Sequence, residues 1–274
     1  MNDQQRKPAP PYIDIGEGHR LFVRDWGAGP PVVMMAGWGM DSRLWGEVML
    51  ALNAAGLRTI AYDRRGHGRS TDAGPMDYDT LADDLSLLLE TLDLRDATLV
   101  CHSGAGGEAI RYVTRHGADR LARIVLAGAT GPIPLPLHDP DGQARAAAEA
   151  MIDRIAFDLP AWMAESLKPF APQADDRLLE WAAQMVLDTP RRALVDFQRA
   201  IVNADLTEEA AALPLPVTII HGDQDVSAPF AASANCYAEL IEQADLILYE
   251  GAAHGLMLTH AARLAADIAA SIKR

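Results

Sequence analysis

The first half of the chain alternates short apolar runs with amphipathic stretches. Residues 12–15 (YIDI) and 19–26 (HRLFVRDW) flank Gly16 and Gly18 and predict a hairpin. Residues 31–37 (PVVMMAG) form a continuous apolar run, as expected of a strand covered on both faces. A helix is expected from Ser42 to Ala55, and the next strand at 58–63 (RTIAYD). The clearest helix lies over residues 79–94, where Leu81, Leu85, Leu88, Leu89 and Leu92 recur at helical spacing with acids opposite, and Asp79 or a near neighbour is expected to cap it. Then follow a strand at 97–102 (ATLVCH), a helix at 106–117 closed by Gly117, and a strand at 122–129. Strands alternating with helices imply parallel units with right-handed crossovers.

The rhythm breaks at residues 131–142, where Pro132, Pro134, Pro136 and Pro140 block both helix and central strand. From Gln143 to Asn203 only helical patterns appear, punctuated by Pro160, Pro169, Pro172 and Pro190. Strand and helix return with 217–222 (VTIIHG), a helix from Ala228 to Ile241, a strand at 245–250 (DLILYE) and a final helix. The expected organisation is an α/β core of residues 1–130 and 213–274 carrying a helical cap at 131–212.

Composition narrows the partners. Among 274 residues, 24 Lys and Arg against 38 Asp and Glu give a formal charge of −14. Such a surface repels phosphates and anionic headgroups, so neither nucleic acid nor membrane is expected as a partner, and a small-molecule substrate is. No apolar run reaches membrane-spanning length and the N-terminus has no secretory pattern, so the cytoplasm is the expected compartment. Self-association into a homo-oligomer is left open. Cys101 and Cys236 have neither metal-ligand nor CxxC spacing and are not expected to bridge; no metal and no cofactor is expected.

The chemistry starts at residues 99–108 (LVCHSGAGGE). A serine at the end of an apolar run, followed by small residues, reads as the strand-to-helix turn usually written G-x-S-x-G. Cys101 and Ala105 replace its outer glycines, yet both are small, which the close crossing of strand and helix requires. A serine hydroxyl is a weak nucleophile without a base. This fold needs an acid and a histidine later in the chain, each just after a strand. Asp225 after 217–222 is the expected acid and His254 after 245–250 the expected base. Asp223 follows its strand directly and is expected to satisfy loop amides instead.

Of the other histidines, His102 is expected to point away from the site and His221 to be buried structure. His67 lies in a turn, and His19, His116 and His138 read as surface or loop residues. His260 is the one rival base, placed inside the final helix. The backbone amides of Gly104 and Trp38 are the expected oxyanion donors. Trp162, Met163, Trp181, Met185 and Phe197 of the cap, with Met257 beside His254, are candidate substrate contacts, each weighed against plain packing between cap and core.

Several motifs in register, LVCHSGAGGEAIRYVTRHG, AYDRRGHGRS, ETLDLRDATLV, HGDQD and GAAHGLMLTH, resemble the cofactor-free haloperoxidase group of α/β hydrolases, which includes esterases, lactonases, amidases and perhydrolases. The resemblance spans residues 20–130 and 215–272 and is weak across the cap. It implies the α/β-hydrolase fold, a mostly parallel eight-stranded sheet with helices on both faces and an inserted helical cap. It matches Ser103, Asp225 and His254 to nucleophile, acid and base, Trp38 and Gly104 to the oxyanion donors, and the arginines of residues 63–70 to loop anchors. Departures are Ala36 where a histidine is usual, Gly104 where a threonine or methionine is common, and Gly39 where perhydrolytic relatives often carry proline; the last points away from perhydrolysis. The implied activity is hydrolysis of a carboxylic ester or lactone of a small, largely apolar substrate through an acyl-enzyme. The alternatives are a C–C bond hydrolase, an amidase or lactamase, and a catalytically silent receptor on the same fold.

Overall fold

A computed structural model describes residues 10–133 and 141–273. Eight strands form one sheet: β1 (Tyr12–Asp14), β2 (Arg20–Trp26), β3 (Pro31–Met35), β4 (Arg58–Tyr62), β5 (Ala97–His102), β6 (Leu121–Ala127), β7 (Val217–Gly222) and β8 (Asp245–Tyr249). Their spatial order is β1-β2-β4-β3-β5-β6-β7-β8. β1 and β2 form the expected hairpin, β2 runs antiparallel to β4, and all other neighbours are parallel. The sequence order reverses beside β3 and β5, the point at which loops leaving the carboxyl ends of the strands diverge in such sheets.

The helices are α1 (Gly46–Ala54), α2 (Tyr78–Thr91), α3 (Ala105–His116), α4 (Gln143–Phe157), α5 (Leu159–Phe170), α6 (Asp176–Asp188), α7 (Arg191–Asn203), α8 (Thr207–Ala211), α9 (Ala234–Leu240), α10 (Leu256–Thr259) and α11 (Ala261–Ile272). Helices α4 to α8 form the helical insertion between β6 and β7. All six residues of β5 are buried, as a central strand with both faces covered demands. One apolar cluster on one face joins Val33, Leu99 and Cys101 to Leu85 and Ile110; the other joins Val32, Met34 and Val100 to Val48, Leu264 and the inserted helices.

Boundaries moved where side chains compete with the helix. Asp77, not Asp79, caps α2, accepting from the Thr80 amide at 2.9 Å. The helix expected over 42–55 begins as a 3-10 turn, Ser42–Trp45, capped by Asp41. That expected over 228–241 narrows to a 3-10 turn, Phe230–Ala232, and α9. The final helix breaks, so His260 sits between α10 and α11 rather than inside a helix; Thr259 Oγ1 bonds both the Gly255 carbonyl and His260 Nδ1 there. Pro134, Pro136, His138 and Pro140 lie outside the described residues. Among the described residues no helix is long and apolar enough to cross a membrane.

Candidate active site

Ser103 stands between β5 and α3 with φ of +55°, a left-handed conformation that costs a non-glycine residue on the order of 1–2 kcal/mol. The strained turn lifts the side chain off the strand end. Its neighbours pay for the crowding by being small. Cys101 and Ala105 are fully buried, and a β-carbon at Gly106 would lie 3.1 Å from Ala129 Cβ. Cys101 itself faces Met35, 3.7 Å away, and burial pushes its thiol well up, which removes it as a nucleophile. Both cysteines are free.

The expected acid and base follow β7 and β8. Asp225, after β7, accepts from the Ser227 and Ala228 amides with Oδ1 at 2.9 and 2.7 Å. Its Oδ2 lies 2.7 Å from His254 Nδ1, so Nδ1 carries the proton and Nε2 is the bare nitrogen. Asp223 instead accepts from the Gly251 amide at 2.7 Å and braces the loop that delivers the histidine. The end of β6 joins the parts. A β-carbon at Gly128 would touch His254 Nδ1 at 3.5 Å and Asp225 Oδ2 at 3.7 Å, while the Thr130 amide reaches the Ser103 carbonyl at 3.3 Å. Ser103 Oγ makes no hydrogen bond to another described residue. Ser103, Asp225 and His254 are all buried, at 7, 5 and 4 % exposure.

The loop after β3 lies against the serine: a β-carbon at Gly37 would stand 2.7 Å from Ser103 Cβ. Among the described residues the amides of Trp38 and Gly104 donate no hydrogen bond. Arg64 holds this loop. Its Nη2 donates to the Ala36 carbonyl at 2.8 Å, and the guanidinium is paired with Glu108 of α3 at 2.7 Å. Burial pushes the Glu108 carboxyl up and the Arg64 charge opposes it; Tyr62 also donates to that carboxylate. Arg65 makes a two-pronged contact with Asp84 at 2.6 Å. Both arginines therefore anchor loops. Gly39 has φ of +66°, which a proline ring fixed near −65° cannot adopt.

His102 overturns an expectation. It does not point away: its ring centroid lies 4.6 Å from that of His254, with Trp45 and Phe170 around it. Alternation along β5 puts Val100 and His102 on one face, the face that the 252–257 loop covers. Neither ring nitrogen has a hydrogen-bond partner among the described residues. Burial, then the neighbouring His254, holds its pKa well below the ordinary value. His221 is buried as expected, donating Nε2–H to the Ala228 carbonyl at 2.8 Å.

The inserted helices supply the walls unevenly. Trp162 packs edge-on against Trp38, centroids 5.0 Å apart, and the Trp38 indole donates to the Leu194 carbonyl at 2.7 Å. Met163, Met185 and Met257 are buried in the apolar cluster on the α1 face, and Trp181 is 38 % exposed. Phe197 is fully buried and, with Ile201, presses on Gly104. Sequence reasoning missed Phe170, whose ring lies 5.6 Å from His254 and whose carbonyl accepts from the Gly255 amide at 2.8 Å, and it missed Ile201. No periodic signal marks either, because each belongs to an amphipathic helix whose facing partner is set by tertiary packing. Among the described residues no three His, Cys, Asp or Glu side chains gather as a metal would need.

Residues 32–267 match the model of the alpha/beta hydrolase family. The chain is 34% identical to a non-heme chloroperoxidase of Kitasatospora aureofaciens over 256 residues, 90% of this chain and 93% of the relative. It is 32% identical to a bifunctional esterase/perhydrolase of Acinetobacter calcoaceticus over 274 residues, 96% of this chain and 99% of the relative. The crystal structure of a bromoperoxidase from Bacillus anthracis superposes with a TM-score of 0.91 at 31% identity, covering 96% of this chain and 99% of that one.

Proposed function

This chain belongs to the alpha/beta hydrolase family, in its esterase, lactonase and haloperoxidase-like group, and on that premise we propose that it cleaves a carboxylic ester or lactone of a small, largely apolar substrate through an acyl-enzyme on Ser103. The observation that carries the reading is a left-handed Ser103 directly after His102, whose ring lies 4.6 Å from that of His254, together with the His254 Nδ1 contact to the Asp225 carboxylate at 2.7 Å.

His254 Nε2 takes the Ser103 proton as Oγ attacks the carbonyl carbon. The oxyanion that forms accepts from the Trp38 and Gly104 amides. His254, positively charged and steadied by Asp225, then gives its proton to the departing alkoxide. Water enters, His254 deprotonates it, and the same steps release the acid and restore the serine. The inserted helices act as a cap, with Trp162, held on Trp38, lining the approach to the oxyanion loop. Its apolar walls suit uncharged substrates. Met163, Met185 and Met257 serve as the packing behind that wall, and Trp181 at its outer surface.

The test is labelling with a fluorophosphonate probe followed by hydrolysis of p-nitrophenyl butyrate. Wild-type protein carries the label on Ser103 and turns the ester over; Ser103→Ala does neither. Ester turnover retained in Ser103→Ala would reject the assignment.

A further inference from the structure

Gly104 has φ of −58°, which any residue adopts, so its backbone does not require glycine. Space does. A β-carbon at 104 would lie 2.5 Å from Ile201 Cδ1, 2.8 Å from Ile201 Cγ1 and 3.2 Å from Phe197 Cζ. Helix α7 is thus seated directly on the α-carbon of the residue that follows the serine.

That seat is rigid. The Phe197 ring is gripped by the Arg64 guanidinium at 4.3 Å, by Tyr78 at 6.2 Å and by His67 at 6.1 Å. Tyr78 donates to the Gly104 carbonyl at 2.8 Å. Ile201, one helical turn beyond Phe197, is the half-buried edge of this assembly. A second wall, Phe170, stands on His254. The two walls meet different parts of a substrate. The leaving alkoxide must depart toward His254, which protonates it, so Phe170 borders the alcohol portion. On the serine-hydrolase reading the carbonyl oxygen accepts from the Gly104 amide, which makes Ile201, packed on Gly104, a candidate wall for the acyl side.

We propose that Ile201 is a specificity-determining residue that limits the length of the acyl group, with Gly104 as the space that admits it. The proposal rests on the serine-hydrolase reading above. Ile201→Ala should raise the ratio of kcat/KM for p-nitrophenyl octanoate over acetate by about 10-fold, the low end of what a single methylene is worth in an apolar pocket. Ile201→Val, the gentler change, should move the same ratio in the same direction by less. Across butyrate esters of methanol to hexanol the Ile201→Ala profile should stay within about twofold of wild type, whereas Phe170→Ala should shift that alcohol series instead. Gly104→Ala should lose ester turnover, and the Gly104→Ala/Ile201→Ala double variant should recover part of it.

An unchanged octanoate-to-acetate ratio in both Ile201 variants overturns the proposal, as does a shift confined to the alcohol series. Fluorophosphonate labelling separates the two levels. Label on Ser103 with an unmoved ratio sinks the acyl-length inference alone; no label on wild-type Ser103 sinks it together with the hydrolase reading.

Discussion

The strand ends and the inserted helices meet at the same serine by different means. From the sheet come polar groups with fixed partners: the Asp225 carboxylate on two amides and one imidazole, Arg64 on Glu108 and the Ala36 carbonyl. From the helices come mostly carbon surfaces, Ile201 and Phe197 on Gly104, Phe170 on His254 and Trp162 on Trp38, with two backbone carbonyls as tethers. Hydrogen bonds are directional, so the sheet side fixes where protons move. Apolar contacts are not, so the helix side can change shape with single side chains while the chemistry stays in place.

The largest losses are expected at the three residues proposed as nucleophile, acid and base. Ser103→Ala and His254→Ala should each lower kcat on a p-nitrophenyl ester by about a million-fold, the loss found when such groups act as a unit. Asp225→Asn should cost about 10⁴-fold, because the amide stabilises the wrong tautomer of His254; steady-state rates check all three. Next comes the buried Arg64–Glu108 pair behind the loop after β3. Glu108→Gln leaves Arg64 buried without its counter-charge and should cost about 3–5 kcal/mol, read as a lowered denaturant midpoint.

A smaller effect comes with acid. Burial holds the His67 pKa down at about 3, whereas in the unfolded chain it takes a proton below about 6.5. Stability is therefore full above pH 6.5 and is lost as pH falls from there toward 3, at about 1.4 kcal/mol per pH unit for His67. His102 and His221 act in the same direction, their pKa values also being lowered chiefly by burial. Unfolding free energies at pH 7, 6 and 5 in wild type and in a His67→Gln variant check it; the variant should show the shallower slope. At the weak end, Trp181→Ala on the exposed side of the insertion should change stability by less than about 0.5 kcal/mol and leave rates on short esters alone.

The same division governs what the sequence could tell. Strand β5 was legible to the residue because an apolar run meets a small-residue turn, and reading Asp225 after β7 and His254 after β8 anticipated the contact that the two make at 2.7 Å. The insertion was legible as helices and as a break in rhythm, but not as walls: Phe170 and Ile201 acquire meaning only from what lies opposite them. His102 was readable and misread, since strand alternation already placed it with Val100 on the His254 side. The Asp77 cap and the break at His260 turned on single side chains competing for backbone groups, which propensity does not resolve.

On the proposed mechanism Ser103, Asp225 and His254 work as one unit at the carboxyl end of the sheet. Comparing residual ester hydrolysis in Ser103→Ala with that in the Ser103→Ala/Asp225→Asn/His254→Ala triple variant tests it most directly. Equal residual rates are expected, because the first substitution already removes what the other two serve. A triple variant slower by the product of the separate losses would contradict it.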